Sequence, residues 1–337
     1  MNINFSKIIF IFCLISGTMI TISSNSWLGA WMGLEINLLS FIPLMANLNN
    51  LLTNESALKY FLTQTLASMI LLFSIIMNFL HSQDSFLLDI DNFNQMMINL
   101  SLCIKMGAAP FHFWFPSVME SLNWLNGLIL MTWQKVAPLT LMSYSINMNF
   151  MIFVILMSAL IGAIGGLNQT NLRTLMAFSS INHLSWILSS MLISDYLWIT
   201  YFMFYSLLSI IIIFIFKNMN IFHINQLYST MNFNLLMKFM LLVNLLSLGG
   251  LPPFLGFLPK LLVIKSLSMN KMFFMIIFLV ISSLITLFFY IRVTYSAFML
   301  MYPSLKWNKI NLLMNFNTTL FLSSMSLFGF LSMTLMY

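Results

Sequence analysis

Long apolar segments constrain this chain more than any other feature of its sequence. Windows of about 20 apolar residues, the length that an α-helix needs to cross a hydrocarbon core, recur along the 337 residues. Hydrophobic side chains make up 61% of the chain and charged side chains only 6%. No soluble fold needs that much apolar surface, so the sequence predicts an all-α polytopic membrane protein.

The windows predict about eleven transmembrane helices in a single membrane-embedded domain over residues 1–337. No stretch between them is long enough to form a soluble domain. The predicted spans are 5–23, 26–45, 57–80, 94–117, 124–145, 149–166, 172–192, 196–216, 238–264, 272–301 and 312–336.

Glycine and proline interrupt two of the predicted spans. Residues 107–112 come shortly after Lys105, and residues 249–256 come shortly before Lys260. Glycine loosens a helical backbone, and proline removes a donor and clashes with the preceding turn. In a bilayer such breaks are tolerated where they are buried in protein or line a wet cavity. We therefore expect two broken helices, and the opposite order of lysine and break is that of inverted repeats in a transporter.

Four charged residues fall inside predicted spans: Glu35, Lys105, Lys135 and Lys260. At 1.5 Å per residue, the first three lie about 14–17 Å from the starts of their spans, near the middle of a core about 30 Å thick. A lysine at that depth cannot reach water by extending its side chain. Structural ion pairs are one interpretation, but four charges on different spans favour an ion path.

Buried acid and base groups of this kind indicate proton chemistry. Burial disfavours the charged form of a lysine and a nearby carboxylate favours it, so Glu35 and Lys105 would titrate as a unit if they meet. Lys135 and Lys260 could then continue the path. His112, just after the first break, and His183 could relay protons, and for both a neutral histidine hydrogen-bonded between helices is an equally good interpretation.

Lysine and arginine distribution predicts the orientation of the chain. With the N-terminus inside, the outside loops hold only Lys265 and Lys271 as cations. The inside loops and span ends hold Lys7, Lys59, Arg173, Lys217, Lys238, Arg292, Lys306 and Lys309. Loops on the inner side of a membrane carry the excess of lysine and arginine. We therefore expect the N-terminus on the inner side and the C-terminus on the outer side. The net charge of +6 then needs no nucleic-acid partner.

The two cysteines give no sign of a metal site. Cys13 and Cys103 both lie in apolar spans without the spacing of metal ligands around them. We expect buried free thiols at both positions.

Five sequence motifs together resemble the NADH–ubiquinone oxidoreductase chain 2 family, in its mitochondrially encoded animal form. The similarity extends over nearly the whole chain and is weak only in 81–95 and after Tyr302. The motifs are SWLGAWMGLEIN at 26–37, KMGAAPFHFWFP at 105–116, MTWQKVAP at 131–138, GGLNQT at 165–170 and LGGLPPFLGFLPK at 248–260.

This resemblance implies an antiporter-like, proton-translocating subunit in the membrane arm of respiratory complex I. Glu35 and Lys105 are then the first pair of the proton path, Lys135 is the connecting site, Lys260 is the terminal site, and His112 lies beside the first broken helix. The resemblance also implies that three N-terminal helices of bacterial relatives are missing here.

The same resemblance implies where the other parts of such a complex lie. FMN, iron–sulfur clusters and ubiquinone are expected in other subunits, with no cofactor, metal or redox active site in this chain. Expected partners are further antiporter-like membrane-arm subunits and membrane lipids, without nucleic acid. The expected location is the mitochondrial inner membrane, with the N-terminus in the matrix and the C-terminus in the intermembrane space.

Two other functional classes are compatible with parts of the pattern. A stand-alone cation/proton antiporter would use the same buried charges under an ion gradient. A membrane-embedded acyltransferase would use His112 or His183 as a base, but the sequence offers neither a substrate tunnel nor a second catalytic group.

Overall fold

The chain is helical throughout the part that its computed structural model describes, namely residues 5–47, 50–81, 88–230, 235–299, 323, 324 and 326. Apart from one isolated bridge between Asn171 and His223, the regular secondary structure of these residues is α-helix. The predicted all-α class is therefore confirmed.

The described residues form fourteen helices, which we number in chain order. They are α1 (Phe5–Ser23), α2 (Trp27–Met45), α3 (Leu51–His81), α4 (Leu88–Met106), α5 (Trp114–Ser121), α6 (Trp124–Met131), α7 (Trp133–Tyr144), α8 (Met148–Gly166), α9 (Leu172–Met191), α10 (Asp195–Met219), α11 (Ile224–Thr230), α12 (Leu235–Gly249), α13 (Phe257–Met269) and α14 (Phe273–Met299).

Six of these helices are long and apolar enough to cross a membrane. They are α1, α2, α3, α8, α10 and α14, with mean hydropathies between 1.4 and 2.6 over their most apolar windows. Their number and length indicate a multi-pass membrane protein. Of the predicted span 312–336, only 323, 324 and 326 lie within the described residues.

Two helices end at the glycines of the predicted breaks. Helix α4 ends at Met106 before Gly107, and α12 ends at Gly249 before Gly250. The backbone φ angles of Gly107 and Gly250 are 72° and 85°, a left-handed conformation that glycine adopts without a steric penalty. Helical structure resumes at Trp114 and at Phe257.

The chain divides into two compact units, Met1–Val154 and Ile155–Tyr337. In the first unit, α1 packs along α2, α2 along α3, and α3 and α7 both pack against α4. Gly33 allows the close approach of α1 and α2, because a Cβ at this position would lie 2.6 Å from Cγ2 of Thr21. Small residues at such contacts are typical of helix packing in membranes.

In the second unit, α9 is the central element. Eighteen of its 20 residues are buried, and it packs against α10, α13 and α14. The helix is rich in serine, yet hydroxyls such as those of Ser179 and Ser189 donate to the main-chain carbonyls of Met176 and Trp186 on the same helix. Because these hydroxyls have acceptors within α9, the polar helix can occupy the centre of the unit, and Ser179 also bonds to Tyr290 on α14.

Candidate functional site

Glu35 lies on α2 with its carboxylate turned partly into the first unit. Its Oε1 atom is enclosed by protein and makes no hydrogen bond there. The carboxylate interacts electrostatically with Lys105 and with Tyr60. Glu35 and Lys105, both within the described residues, do not form an ion pair within 4.0 Å. An enclosed carboxylate oxygen without a hydrogen bond carries a desolvation penalty, which makes Glu35 a candidate functional residue.

Lys105 occupies the last turn of α4 and is buried. It borders a small cavity of about 10 Å³, the size of a single water position. The polar side chains around this cavity, besides Lys105, are Asn37, Tyr60, Gln64 and Gln134. A site of this size with several polar partners is suited to hold one water molecule.

Hydrogen bonds join three helices around this cavity. Gln134 Nε2 on α7 donates to Asn37 Oδ1 on α2 at 3.0 Å, and Tyr60 OH on α3 lies 3.4 Å from Gln134 Oε1. Gln64 Nε2 donates to the main-chain oxygen of Lys105 at 3.3 Å. Sequence reasoning missed these polar residues, although each is an amide or hydroxyl side chain within an apolar span.

His112 is buried in the segment between α4 and α5. Its Nδ1 lies 3.2 Å from the carbonyl oxygen of Pro110, which can only accept, so Nδ1 carries a proton. In the same segment Trp114 Nε1 donates to the carbonyl of Ile104 at 3.1 Å. That carbonyl also accepts from the main-chain N–H of Gly107 at 3.2 Å, so the indole adds a second bond that ties the start of α5 to the end of α4.

Lys135 is a fully buried lysine of α7. Its Nζ lies 5.0 Å from the ring centroid of Phe115, within the range of a cation–π interaction. Phe115 also lies against Gly107, where an added Cβ would meet the Phe115 Cβ at 3.0 Å. One aromatic side chain therefore contacts both the lysine and the segment that follows α4.

Lys260 is a buried lysine in the first turn of α13, in the second unit. Its Nζ donates to the carbonyl oxygen of Gly249 at 2.8 Å. The same Nζ lies 5.8 Å from the ring centroid of Trp186 on α9. The sequence singled out Lys260 but not Trp186. Many aromatic residues occur in the apolar segments, and the sequence does not indicate which of their rings lies next to a lysine.

His183 is buried on α9, where its Nδ1 lies 3.1 Å from the hydroxyl of Tyr201. Its ring centroid is 5.0 Å from that of Tyr205. A hydroxyl both donates and accepts, so this contact is compatible with the relay and with the neutral structural histidine that the sequence left open.

Other sequence-based expectations concern cysteines and metals. Cys103 is a buried free thiol, whereas free Cys13 is only half-buried on α1, so the expectation of burial was wrong for Cys13. Within the described ranges, no group of three or more His, Cys, Asp or Glu side chains could hold a metal ion.

Comparison with known families and proteins gives concordant results. The model of the family described as NADH:quinone oxidoreductase/Mrp antiporter, TM, matches residues 24–286. The chain is 57% identical to NADH-ubiquinone oxidoreductase chain 2 of Anopheles gambiae over 330 residues, 97% of this chain and 95% of that protein. It is 56% identical to the Aedes aegypti protein of the same name over 335 residues, 98% of each chain.

Solved structures share the fold at low sequence identity. A chain of respiratory complex I from Thermus thermophilus, solved with bound aureothin, matches with a TM-score of 0.83 and 20% identity over 97% of this chain and 79% of that one. A chain of the Mrp complex from a Dietzia species matches with a TM-score of 0.77 and 17% identity, over 88% of this chain and 61% of that one. The family model spans most of the sequence, and the insect relatives exceed half identity over nearly its full length. The chain therefore belongs to the NADH-ubiquinone oxidoreductase chain 2 family.

Proposed function

We propose that this chain is a proton-translocating subunit in the membrane arm of NADH:ubiquinone oxidoreductase, respiratory complex I. It contributes no redox site of its own; electron transfer in other subunits supplies the energy. The observation that carries the proposal is the buried, unbonded Oε1 of Glu35 close to buried Lys105 and a water-sized polar cavity. Ionisable groups buried in membrane spans are costly, so they indicate an ion pathway more often than a purely structural role in packing.

In this proposal Glu35 and Lys105 form the first element of the proton path. A proton leaves the Lys105 ammonium and is taken up by the Glu35 carboxylate, which leaves two neutral groups; the reverse transfer restores both charges. Since the two side chains do not pair directly, the proton crosses through a bridging water or after one side chain has moved. Tyr60 and Lys105 border the cavity, and both interact electrostatically with Glu35.

Further along the path we assign His112, Lys135 as the connecting site and Lys260 as the terminal site. Helices α4 and α5 form one broken membrane span, and α12 and α13 form the other, in an inverted-repeat arrangement. The full chain then has about eleven spans in one antiporter-like domain over residues 1–337. Burial of Lys135 and Lys260 supports this assignment.

The proposal also covers the setting of the chain. It lies in the mitochondrial inner membrane, with the N-terminus in the matrix and the C-terminus in the intermembrane space. Its partners are further antiporter-like subunits and membrane lipids, without nucleic acid. FMN, the iron–sulfur clusters and ubiquinone belong to other subunits.

A stand-alone cation/proton antiporter is the second candidate function, and the fold shared with a chain of the Mrp complex favours it. This candidate predicts that the isolated chain, reconstituted into vesicles, exchanges sodium for protons. The complex I proposal predicts no such exchange by the isolated chain.

Glu35→Gln tests the proposed function in the assembled complex, reconstituted into sealed vesicles. We expect proton translocation coupled to NADH oxidation to fall by about tenfold or more, because a positioned proton carrier contributes ~10²–10⁴-fold in rate. The change is nearly isosteric, so the amount of assembled complex on native gels should be unchanged.

Glu55→Gln is the matched control for this experiment. Glu55 lies on α3 with 58% of its side chain exposed and forms an exposed ion pair with Lys59 at 2.7 Å. Such pairs contribute little, so we expect normal pumping. Full pumping by an assembled Glu35→Gln complex would contradict the assignment of Glu35.

A further inference from the structure

We infer that the end of α12 and the indole ring of Trp186 form a binding site for the ammonium group of Lys260, and that Gly250 is a positioning residue for this site. The inference deepens the proposed function: the role of this site in pumping rests on Lys260 carrying protons. The geometry of the site itself does not depend on that role.

The carbonyl end of α12 provides the polar half of the site. Gly249 is the last residue of that helix, and its carbonyl oxygen accepts from Lys260 Nζ at 2.8 Å. The last carbonyls of a helix have no partners within it and carry about half a negative charge together. The hydrogen bond therefore satisfies a free carbonyl and places a cation where the helix dipole stabilises it.

The position of Lys260 in its own helix is unfavourable for a positive charge. Lys260 lies in the first turn of α13, where the dipole of its own helix disfavours a cation. Within the part of the chain that the structure describes, no Asp or Glu lies within 4.0 Å of its Nζ. The buried ammonium is thus stabilised by the opposed end of a neighbouring helix in place of a carboxylate.

Trp186 provides the aromatic half of the site. Its ring centroid lies 5.8 Å from Lys260 Nζ, a distance at which the ring face attracts a cation. The indole is fully buried and lies parallel to the ring of Tyr201, with centroids 6.4 Å apart and an interplanar angle of 6°. Because packing fixes the ring in this way, its face is held toward the ammonium.

Gly250 leaves the space that the lysine side chain occupies. A Cβ at Gly250 would lie 3.0 Å from both Cδ and Nζ of Lys260, and the φ of 85° is one that other residues rarely adopt. The neighbouring Gly249 differs, since a Cβ there would meet Tyr290 at 3.5 Å and Leu287 at 3.6 Å, which are ordinary contacts. Gly250→Ala therefore tests the site, and Ser268→Ala on α13 is its control, because the Ser268 side chain is exposed and its hydroxyl donates to the carbonyl of Lys265.

The chemical consequence concerns the charged state of Lys260. A carbonyl oxygen and an aromatic ring stabilise an ammonium but cannot take its proton. The site therefore holds the positive charge until another acceptor approaches or the end of α12 moves away from Nζ. This property suits a terminal site that must retain a proton between the steps of a pump.

Gly250→Ala and Ser268→Ala are compared in the assembled complex in sealed vesicles. We expect Gly250→Ala to slow coupled proton translocation by about tenfold, the effect of losing one hydrogen bond to a charged group, and Ser268→Ala to leave it nearly unchanged. In a Lys260→Met background Gly250→Ala should have no additional effect on pumping. Equal pumping by the two alanine variants, or a further loss in the Lys260→Met background, would overturn the inference.

A cryo-electron microscopy structure of the Gly250→Ala complex gives a readout that does not depend on pumping. We expect Lys260 Nζ to be displaced from the Gly249 carbonyl; an intact hydrogen bond would contradict the positioning role of Gly250. Displacement of Nζ together with normal pumping would refute the role of Lys260 in the path and leave the binding site standing.

A second pair of variants keeps the test decisive if Gly250→Ala does not assemble. Trp186→Phe retains an aromatic face, whereas Trp186→Leu does not. We expect Trp186→Leu to slow pumping more than Trp186→Phe does, and this difference should vanish in the Lys260→Met background. Equal effects of both changes at Trp186 would show that packing alone matters there.

Discussion

The chemical groups next to the buried charges differ between Glu35, Lys135 and Lys260. Glu35 lies in the electrostatic field of Lys105 and Tyr60, Lys135 lies over the ring of Phe115, and Lys260 binds a main-chain carbonyl. A buried charge locked in a close ion pair resists a change of protonation, because removing one partner leaves the other uncompensated. Rings and carbonyl dipoles stabilise a charge without such a partner, so no carboxylate is left uncompensated at Lys260 when its proton leaves.

Gln134→Leu is predicted to slow coupled proton translocation while the complex still assembles. Gln134 joins Asn37 and Tyr60 beside Lys105, so its loss removes a polar group from the cavity and leaves the amide of Asn37 with one partner fewer. The expected loss of stability is about 1–3 kcal/mol. Pumping and NADH oxidation are measured on the same vesicle preparation.

Thr140→Val on the same helix is the control for Gln134→Leu. The Thr140 hydroxyl donates to the carbonyl of Ala137, one turn earlier in α7. The change removes a hydroxyl from α7 without altering the cavity, so pumping should stay normal. If both variants pump like the unaltered complex, the hydrogen bonds around the cavity have no role in proton transfer.

The charged residues of the candidate site were predictable from the sequence, but their neighbours were not. Lys105, Lys135 and Lys260 are conspicuous because a charge within an apolar span has few structural explanations. Tyr60 and Trp186 look like ordinary residues of apolar helices, and no periodicity indicates which neighbouring helix they face. Side-chain partners across helices depend on packing, which the spacing along one chain does not encode.

At the scale of helices, the ends of α4 and α12 were predictable because glycine marks both of them. The separation of α6 from α7 at Thr132 was not predictable, because neither glycine nor proline occurs at that position. Helix α3 begins at Leu51, six residues before the predicted span at 57. Its polar first turns, with the Glu55–Lys59 pair, extend the helix beyond any apolar window, and hydropathy cannot detect such an extension.

Gly33→Ala is predicted to weaken the packing of α1 on α2. The new Cβ would lie 2.6 Å from Thr21 Cγ2 and 2.9 Å from the carbonyl oxygen of Gly17, so one helix must move. Overpacking of this kind costs about 1–3 kcal/mol. We expect less assembled complex and a lower temperature of thermal inactivation.

Gly127→Ala on α6 provides the comparison for Gly33→Ala. Its new Cβ would meet the flexible end of Met119, at 3.1 Å from Cε. Methionine adapts to small changes in shape, so the amount of complex and its thermal inactivation should stay close to normal. Normal stability of the Gly33→Ala complex would mean that α1 and α2 do not depend on close backbone approach.

At the scale of the whole chain, exposed apolar side chains distinguish this protein from a soluble one. Phe5 and Phe12 on α1 are 77% and 71% exposed, and Phe274 on α14 is 68% exposed. In water such surfaces would be costly, whereas lipid tails or the helices of other subunits can cover them. The composition predicted this property directly, because 61% hydrophobic residues exceed what a core can bury.

Extraction in mild detergent is predicted to release the chain in a particle far larger than its own 38.9 kDa. On a native gel this particle should stain for NADH dehydrogenase activity, because the redox subunits remain bound to the chain in the same particle. Detection of the chain by mass spectrometry in the stained band completes the measurement. A small particle without NADH dehydrogenase activity would instead favour the stand-alone antiporter.

The small cavity beside Lys105 has a consequence for ion selectivity. A metal cation that enters a narrow site must exchange the water molecules of its hydration shell for oxygen atoms of the protein. Several such oxygen atoms must coordinate the cation at the same time. A cavity of about 10 Å³ has room for one water molecule and not for a cation with part of its shell. A proton needs no such room, because it moves along hydrogen bonds as successive groups exchange it. On the proposed path, a cavity of these dimensions would favour protons over sodium by size.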